Sequence, residues 1–173
     1  LWTSPNSFVA SANCGIYCGA KVDFVDVNPK TGLMSVSKLR KKLEIAKIEQ
    51  NLPKVIIPVH LSGAVCDMKE IANLSREYNF SIIEDASHAL GSSYLNQPVG
   101  SCEYSDLTVF SFHPVKMITT GEGGCITTNR KKLFDQIIKL RSHGITKNQE
   151  EFEFAPSGDW SYEQQLLGFN YRM

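Results

Sequence analysis

Two short stretches of this chain hold the residues best suited to chemistry. The first, Glu84-Asp85-Ala86-Ser87-His88-Ala89-Leu90-Gly91, follows the run Ser81-Ile82-Ile83. The second runs from Ser111-Phe112-His113-Pro114-Val115-Lys116 to Gly121-Glu122-Gly123-Gly124, after Leu107–Phe110. A lysine on a Gly/Thr-rich turn can bind phosphate, but a P-loop needs its glycines ahead of the lysine, where backbone N–H groups wrap the phosphates. Here Gly121, Gly123 and Gly124 come after Lys116. Two readings remain: an amine desolvated enough to form an imine, or a surface lysine in a loop. Asp85 narrows the choice, because a carboxylate leaving a buried strand is costly without a partner. A protonated pyridine nitrogen is such a partner, and a pyridine ring accepts electrons from a carbanion best when that nitrogen keeps its proton. Capping of the turn after the strand is the structural alternative for Asp85. Glu84 points to the other side of the strand and reads as structural.

An amine and an acid this far apart in sequence need a scaffold that brings strand ends together. Short β-rich runs alternate with helical periods, the pattern of a largely parallel α/β sheet. Strand candidates are Leu1–Thr3, Val22–Val25, Val55–His60, Ser81–Glu84, Leu107–Phe110 and Cys125–Thr128. Several are apolar almost throughout, as strands covered on both faces are. Helices are expected over Phe8–Tyr17, over Lys38–Ile48 with Ser37 as cap, over Asp67–Tyr78 with a capping-box-like start, and over Lys131–Ser142 with Gly144 as stop. A turn between two short strands is expected at Asn96-Gln97-Pro98-Val99-Gly100, and a polar loop from Gln149 to Gly158. Ligands in such sheets gather outside the carboxyl ends of the strands, where both polar stretches fall. His60 and His113 are further candidates to line a site there, whereas His143 reads as structural.

The totals narrow the function classes. At 173 residues, 42% hydrophobic and 21% charged, the chain is long enough for a globular core. Eighteen basic residues balance eighteen acidic ones, so no global field points to nucleic acid or an anionic membrane. The run Lys38-Leu39-Arg40-Lys41-Lys42 reads as a solvated helix face. No apolar stretch approaches the roughly 20 residues of a membrane span. The five cysteines are scattered and odd in number. Cys14 and Cys18, four apart, could present two thiolates on one helix face, but no second Cys/His pair follows at finger-like spacing, so no metal site is expected. Reduced, mostly buried thiols suit a cytoplasmic protein. The opening inside a strand and the ending at Asn170-Tyr171-Arg172-Met173 suggest a piece of a longer protein.

Glu-Asp-Ala-Ser-His-Ala-Leu-Gly followed by Ser-Phe-His-x-x-Lys-x-Ile-Thr-Thr-Gly-Glu-Gly-Gly resembles the DegT/StrS family of nucleotide-sugar aminotransferases. Thr3–Ser11, Gly19–Asp26 and the closing Leu167-Gly168-Phe169-Asn170-Tyr171-Arg172-Met173 are similar to other segments of that family, so the resemblance spans essentially the whole chain. Within the family the likeness is to transaminases of UDP-4-keto-6-deoxy-N-acetyl-hexosamines on the pseudaminic acid route, carried by Trp160-Ser161-Tyr162-Glu163-Gln164-Gln165 and the closing motif. The resemblance implies the three-layer α/β/α large domain of fold-type I aminotransferases, mostly parallel and incomplete at both ends. Residues 1–173 would be the central part of the cofactor-binding domain, with a C-terminal small domain and an upstream phosphate-binding turn lying outside the chain.

The implied cofactor is pyridoxal 5′-phosphate. Lys116 would hold it as a Schiff base, Asp85 would pair with its ring nitrogen, and His88 would lie near its 3-hydroxyl. Phe8 would stack on the ring, Ser111 would bind the phosphate, and Asn170 would reach the phosphate of a partner subunit in a homodimer, with Arg172 a neighbouring candidate. The implied partners are a UDP-linked keto-deoxy sugar and an amino-acid donor, glutamate. Some relatives are dehydratases in which a histidine replaces the lysine, so Lys116 favours transamination. A dehydratase on the same scaffold and a non-catalytic sensor or scaffold protein are the alternative readings.

Overall fold

The computed structural model describes residues 1–171 and divides into two compact units, Leu1–Asn129 and Arg130–Met173. In the first unit the strands are β1 (Trp2–Thr3), β2 (Asp23–Phe24), β3 (Val55–Ile57), β4 (Ser81–Asp85), β5 (Ser93–Tyr94), β6 (Gln97–Pro98), β7 (Leu107–Ser111) and β8 (Gly124–Thr127). Its helices are α1 (Ala10–Tyr17), α2 (Val36–Ile48) and α3 (Met68–Tyr78). Six strands form one sheet in the order β2-β1-β3-β4-β7-β8. Every pairing in it is parallel except β7 with β8.

The sheet is a middle layer. Alternate residues of a strand face opposite sides, and β4 separates its two sets. Ile82 packs with Ile56, Leu39, Leu43, Met68, Ile71 and Leu74 in the main core, under α2 and α3. Asp85, of the other parity, meets Ser11 of α1. Helices therefore cover both faces, giving the expected α/β/α layering. Burial of these Leu, Ile and Met side chains contributes about 1.5–3 kcal/mol each. The basic run of α2 lies on its outer side: Lys38 pairs with Asp26, and Arg40 with Glu77 at 3.3 Å.

Several local expectations shift by a residue or two. Ser35, not Ser37, caps α2, accepting the Lys38 N–H at 3.4 Å from an extended backbone. Asp67 caps α3 and accepts the Glu70 N–H as expected. The turn after β5 is Leu95-Asn96, both at positive φ, and Gln97-Pro98 already belongs to the returning strand. The left-handed pair is the backbone that a two-residue hairpin requires. The thiols differ more. Cys66 and Cys102 are buried, but Cys14, Cys18 and Cys125 are exposed. Cys14 lies in α1 and Cys18 at its C-cap, four residues apart, and Cys125 lies on edge strand β8.

The second unit holds α4 (Lys131–Arg141), β9 (Ile145–Thr146) and β10 (Glu163–Gln164), the strands pairing antiparallel. Lys139 Nζ meets Glu151 Oε2 at 2.7 Å inside this unit. Gly144 ends the helical segment at φ +72°, its N–H donating to the Lys139 carbonyl. A Cβ there would fall 1.9 Å from the Leu166 carbonyl oxygen, so only glycine fits. Among the described residues no helix is long and apolar enough to cross a membrane.

Candidate active site

Asp85 is the last residue of β4, and its backbone is fixed on both sides. Its N–H donates to Pro58 at 2.9 Å, its carbonyl accepts from the His60 N–H at 3.0 Å, and the next N–H, of Ala86, donates to Val109 of β7 at 2.9 Å. The carboxylate is held as well. Oδ2 accepts the Ser11 hydroxyl at 2.5 Å, and Oδ1 accepts the Ser87 N–H at 3.1 Å. The Ser87 contact is the local turn expected of an aspartate that leaves a strand.

Behind Asp85, on the opposite face, sits a buried polar cluster. His60 is fully buried and its Nε2 lies 2.7 Å from Glu84 Oε2. His60 Nδ1 accepts the Cys66 N–H at 3.3 Å, so the ring hydrogen is on Nε2 and points at the carboxylate. Glu84 Oε1 accepts the hydroxyls of Ser105 and Thr108. Burial by itself pushes the Glu84 carboxyl up, but the His60, Ser105 and Thr108 contacts outweigh it and hold it below the usual value. Glu84 is structural, as expected. His60 is a correction: it lies beyond β3, next to Val59, which bridges Asp85, so alternation turns it to the Glu84 side and it does not line the site.

His88 lies in the loop after β4. Its Nδ1 accepts the Ser62 N–H at 3.3 Å, which places the hydrogen of the neutral ring on Nε2. Ser62 adopts φ 53° to make this contact, and the turn is tied down from the other side by the Ser92 hydroxyl on the Gly63 carbonyl at 2.8 Å. His88 is exposed, so Nε2–H is available as a donor.

Ser111 ends β7 in register two residues beyond Val109, the partner of Asp85, so both side chains face the same side of adjacent strands. The loop from Phe112 to Gly123 leaves the same edge and closes on itself through Phe112 N–H to Gly123 and Thr120 N–H to Phe112. Lys116 sits in a turn of that loop, its N–H on the His113 carbonyl at 2.9 Å. It is half-buried, and its amine has no hydrogen-bond or ion-pair partner among the described residues. His113 is exposed and its Nδ1 accepts the Val115 N–H, a contact internal to the loop.

Phe8 precedes α1 and is 77% exposed. It is no core phenylalanine, and it lies in the same turn as Ser11, whose N–H donates to the Phe8 carbonyl at 3.4 Å. Asn170 belongs to the second unit, where it is exposed and forms an antiparallel bridge with Ser142. Its expected partner is another copy of the chain. Arg172 lies outside the described residues.

Lys116, Asp85, His88, Ser111 and the Phe8 turn thus all belong to the carboxyl edge of the parallel strands or to α1 above it. The edge carries a carboxylate, an imidazole donor, a hydroxyl, an exposed aromatic residue and an amine with no hydrogen-bond or ion-pair partner among the described residues. Ser11 was not legible as a member. The available signal was spacing: Ser11 follows Phe8 by three residues and Ser7 by four, within reach of the turn that opens α1.

Known proteins agree with this architecture. The chain is 42% identical over 173 residues to the UDP-4-amino-4,6-dideoxy-N-acetyl-beta-L-altrosamine transaminase of Campylobacter jejuni subsp. jejuni, covering 99% of this chain and 42% of that protein. It is 36% identical over 167 residues to the GDP-perosamine synthase of Escherichia coli O157:H7, covering 96% of this chain and 41% of that protein. Among solved structures, Helicobacter pylori PseC, an aminotransferase involved in pseudoaminic acid biosynthesis, superposes with a TM-score of 0.83 at 32% identity, over 99% of this chain and 42% of that one. The PLP-form of the putative sugar aminotransferase Spr1654 from Streptococcus pneumoniae matches with a TM-score of 0.74 at 29% identity, over 97% and 43%. The chain thus spans less than half the length of these relatives. The DegT/DnrJ/EryC1/StrS aminotransferase profile matches residues 1–173, and the chain belongs to that family.

Proposed function

We propose that this chain is the central part of the cofactor-binding domain of a pyridoxal-phosphate-dependent aminotransferase. In this reading it moves an amino group from glutamate to a UDP-linked keto-deoxy sugar, in a cytoplasmic homodimer. The observation that carries the reading is that a pinned carboxylate, Asp85 at the end of β4, and the amine-bearing loop of Lys116 after β7 leave the same edge of adjacent parallel strands. The sugar and the donor rest on the likeness to the altrosamine transaminases.

Bound pyridoxal phosphate supplies an electron sink for the carbanion formed at the donor α-carbon. Asp85 keeps the proton on the ring nitrogen by offering it an anionic acceptor. His88 donates from Nε2 to the ring's 3-oxygen, Ser111 donates to a phosphate oxygen, and the Phe8 ring covers one face. Asn170 serves the phosphate in the partner subunit. Lys116 Nζ would be the residue that holds the cofactor through its aldehyde. With the cofactor bound, the Lys116 amine would serve as general base and then general acid, moving the proton that leaves the donor α-carbon. The same residue runs the reverse transfer when the keto sugar enters, so ping-pong kinetics follow.

The test is titration of the full-length protein with pyridoxal phosphate. An imine absorption band in the wild type, lost in Lys116→Ala, supports the reading. Absence of the band in the wild type overturns it in favour of a scaffold protein. Incubation with glutamate and a UDP-4-keto-6-deoxy sugar should yield an amino sugar, and a deoxygenated product would select a dehydratase instead.

A further inference from the structure

Ser11 is 6% exposed and is the second residue of α1, with its Oγ 2.5 Å from Asp85 Oδ2. An ionised carboxylate only accepts, so the single Ser11 hydrogen is committed to Asp85. The Ser7 hydroxyl, 3.2 Å from Ser11 Oγ, must then be the donor in that contact. The result is a directed relay, Ser7 to Ser11 to Asp85, that crosses from helix to sheet.

We propose that Ser11 is a positioning residue, which aims the Asp85 carboxylate at the ring nitrogen of the bound cofactor. This rests on the reading of Asp85 given above. The argument is one of remaining freedom. Ladder bonds to Pro58, His60 and Val109 fix the Asp85 backbone, so only its own side-chain torsions can misplace the carboxylate. The Ser87 N–H engages Oδ1 alone, and a carboxylate held at one oxygen can still turn about that contact. Ser11 engages the second oxygen from a different element and removes that rotation. A carboxylate offers about four lone-pair directions. With one on each oxygen taken, the remaining ones are left for a ring N–H in a single carboxylate orientation.

The inference separates Ser11 from residues that merely fill space. If it acts through Asp85 and the ring nitrogen, its loss matters for a ligand that has the nitrogen and not for one that lacks it. The experiment measures binding of pyridoxal phosphate and of its 1-deaza analogue, in which C–H replaces the ring nitrogen. It uses the full-length wild type and the variants Ser11→Ala, Ser11→Cys and Ser11→Thr.

Loss of a hydrogen bond to a charged group predicts that Ser11→Ala weakens pyridoxal phosphate binding roughly tenfold. The analogue's affinity should change less than about twofold, on the same scale. Ser11→Cys, nearly isosteric but a weak donor, should reproduce this selective loss if the alanine variant folds poorly. Ser11→Thr, which keeps the hydroxyl, should restore wild-type binding of both ligands. Equal losses for the two ligands, or no loss for either, would overturn the positioning role while leaving the proposed function intact. A wild type that binds neither ligand would overturn both.

Discussion

His60 Nε2 lies 2.7 Å from Glu84 Oε2, both residues buried, directly behind the strand end that presents Asp85. The pair joins the end of β3 to β4, where the His60 N–H also holds the Asp85 carbonyl. It therefore acts as the back wall of the candidate site. Removing one partner of such a pair leaves a buried polar group uncompensated, at a cost of about 3–5 kcal/mol. His60→Ala should lower stability by that order in a denaturant titration, and an unchanged midpoint would show that the pair carries nothing.

Acid should attack the same pair. The folded-state pKa of Glu84 lies below its usual value near 4.5. A depressed carboxyl pKa contributes stability that is present above the unfolded value and is lost as pH falls through the folded one. Denaturation midpoints measured from pH 7 downward should therefore begin to fall below about 4.5. That decline should be shallower in Glu84→Gln, which starts from a lower plateau. Parallel curves for the two proteins would contradict the assignment.

Thiol chemistry offers an independent check on burial. The Cys66 thiol donates to the Val59 carbonyl at 3.3 Å and is pushed up to about 12 by burial. The thiolate is the reacting form. Cys66 should remain unmodified by an alkylating agent at pH 8 until denaturant is added, as peptide mass spectrometry would report. Modification of the native protein at Cys66 would mean that the β3–β4 region opens.

Ser4 Oγ is buried with no hydrogen-bond partner among the described residues. A buried hydroxyl without a partner costs about 1–3 kcal/mol. Ser4→Ala is therefore expected to leave stability unchanged or raise it by up to about that amount. A clear destabilisation would imply a contact supplied by something other than the described residues.

Gly144 should tolerate no side chain. Left-handed strain costs about 1–2 kcal/mol, and the Leu166 carbonyl occupies the Cβ position. Gly144→Ala should shift local hydrogen exchange in the β9–β10 hairpin towards faster opening, whereas unchanged exchange would argue against the close approach.

The sequence alone determined the class of fold and most of the polar edge. Alternating apolar runs and amphipathic periods imply a covered parallel sheet, and the order of lysine and glycines argues against a phosphate loop at Lys116. Strand parity already separated Glu84 from Asp85, since neighbouring residues must face opposite ways. These conclusions rest on local periodicity, which is written within a few residues of each position.

Tertiary structure decided the rest. Ser11 and Asp85 are 74 positions apart, and nothing in either neighbourhood specifies that a helix hydroxyl meets a strand-end carboxylate. His60 read as a candidate for the site and is instead part of its support, because the face it takes depends on pairing with Glu84, 24 residues on. Which cysteines are buried likewise followed from the placement of α1 and from β8 being an edge. Partner, face and burial are properties of packing, and packing joins segments whose sequences carry no record of one another.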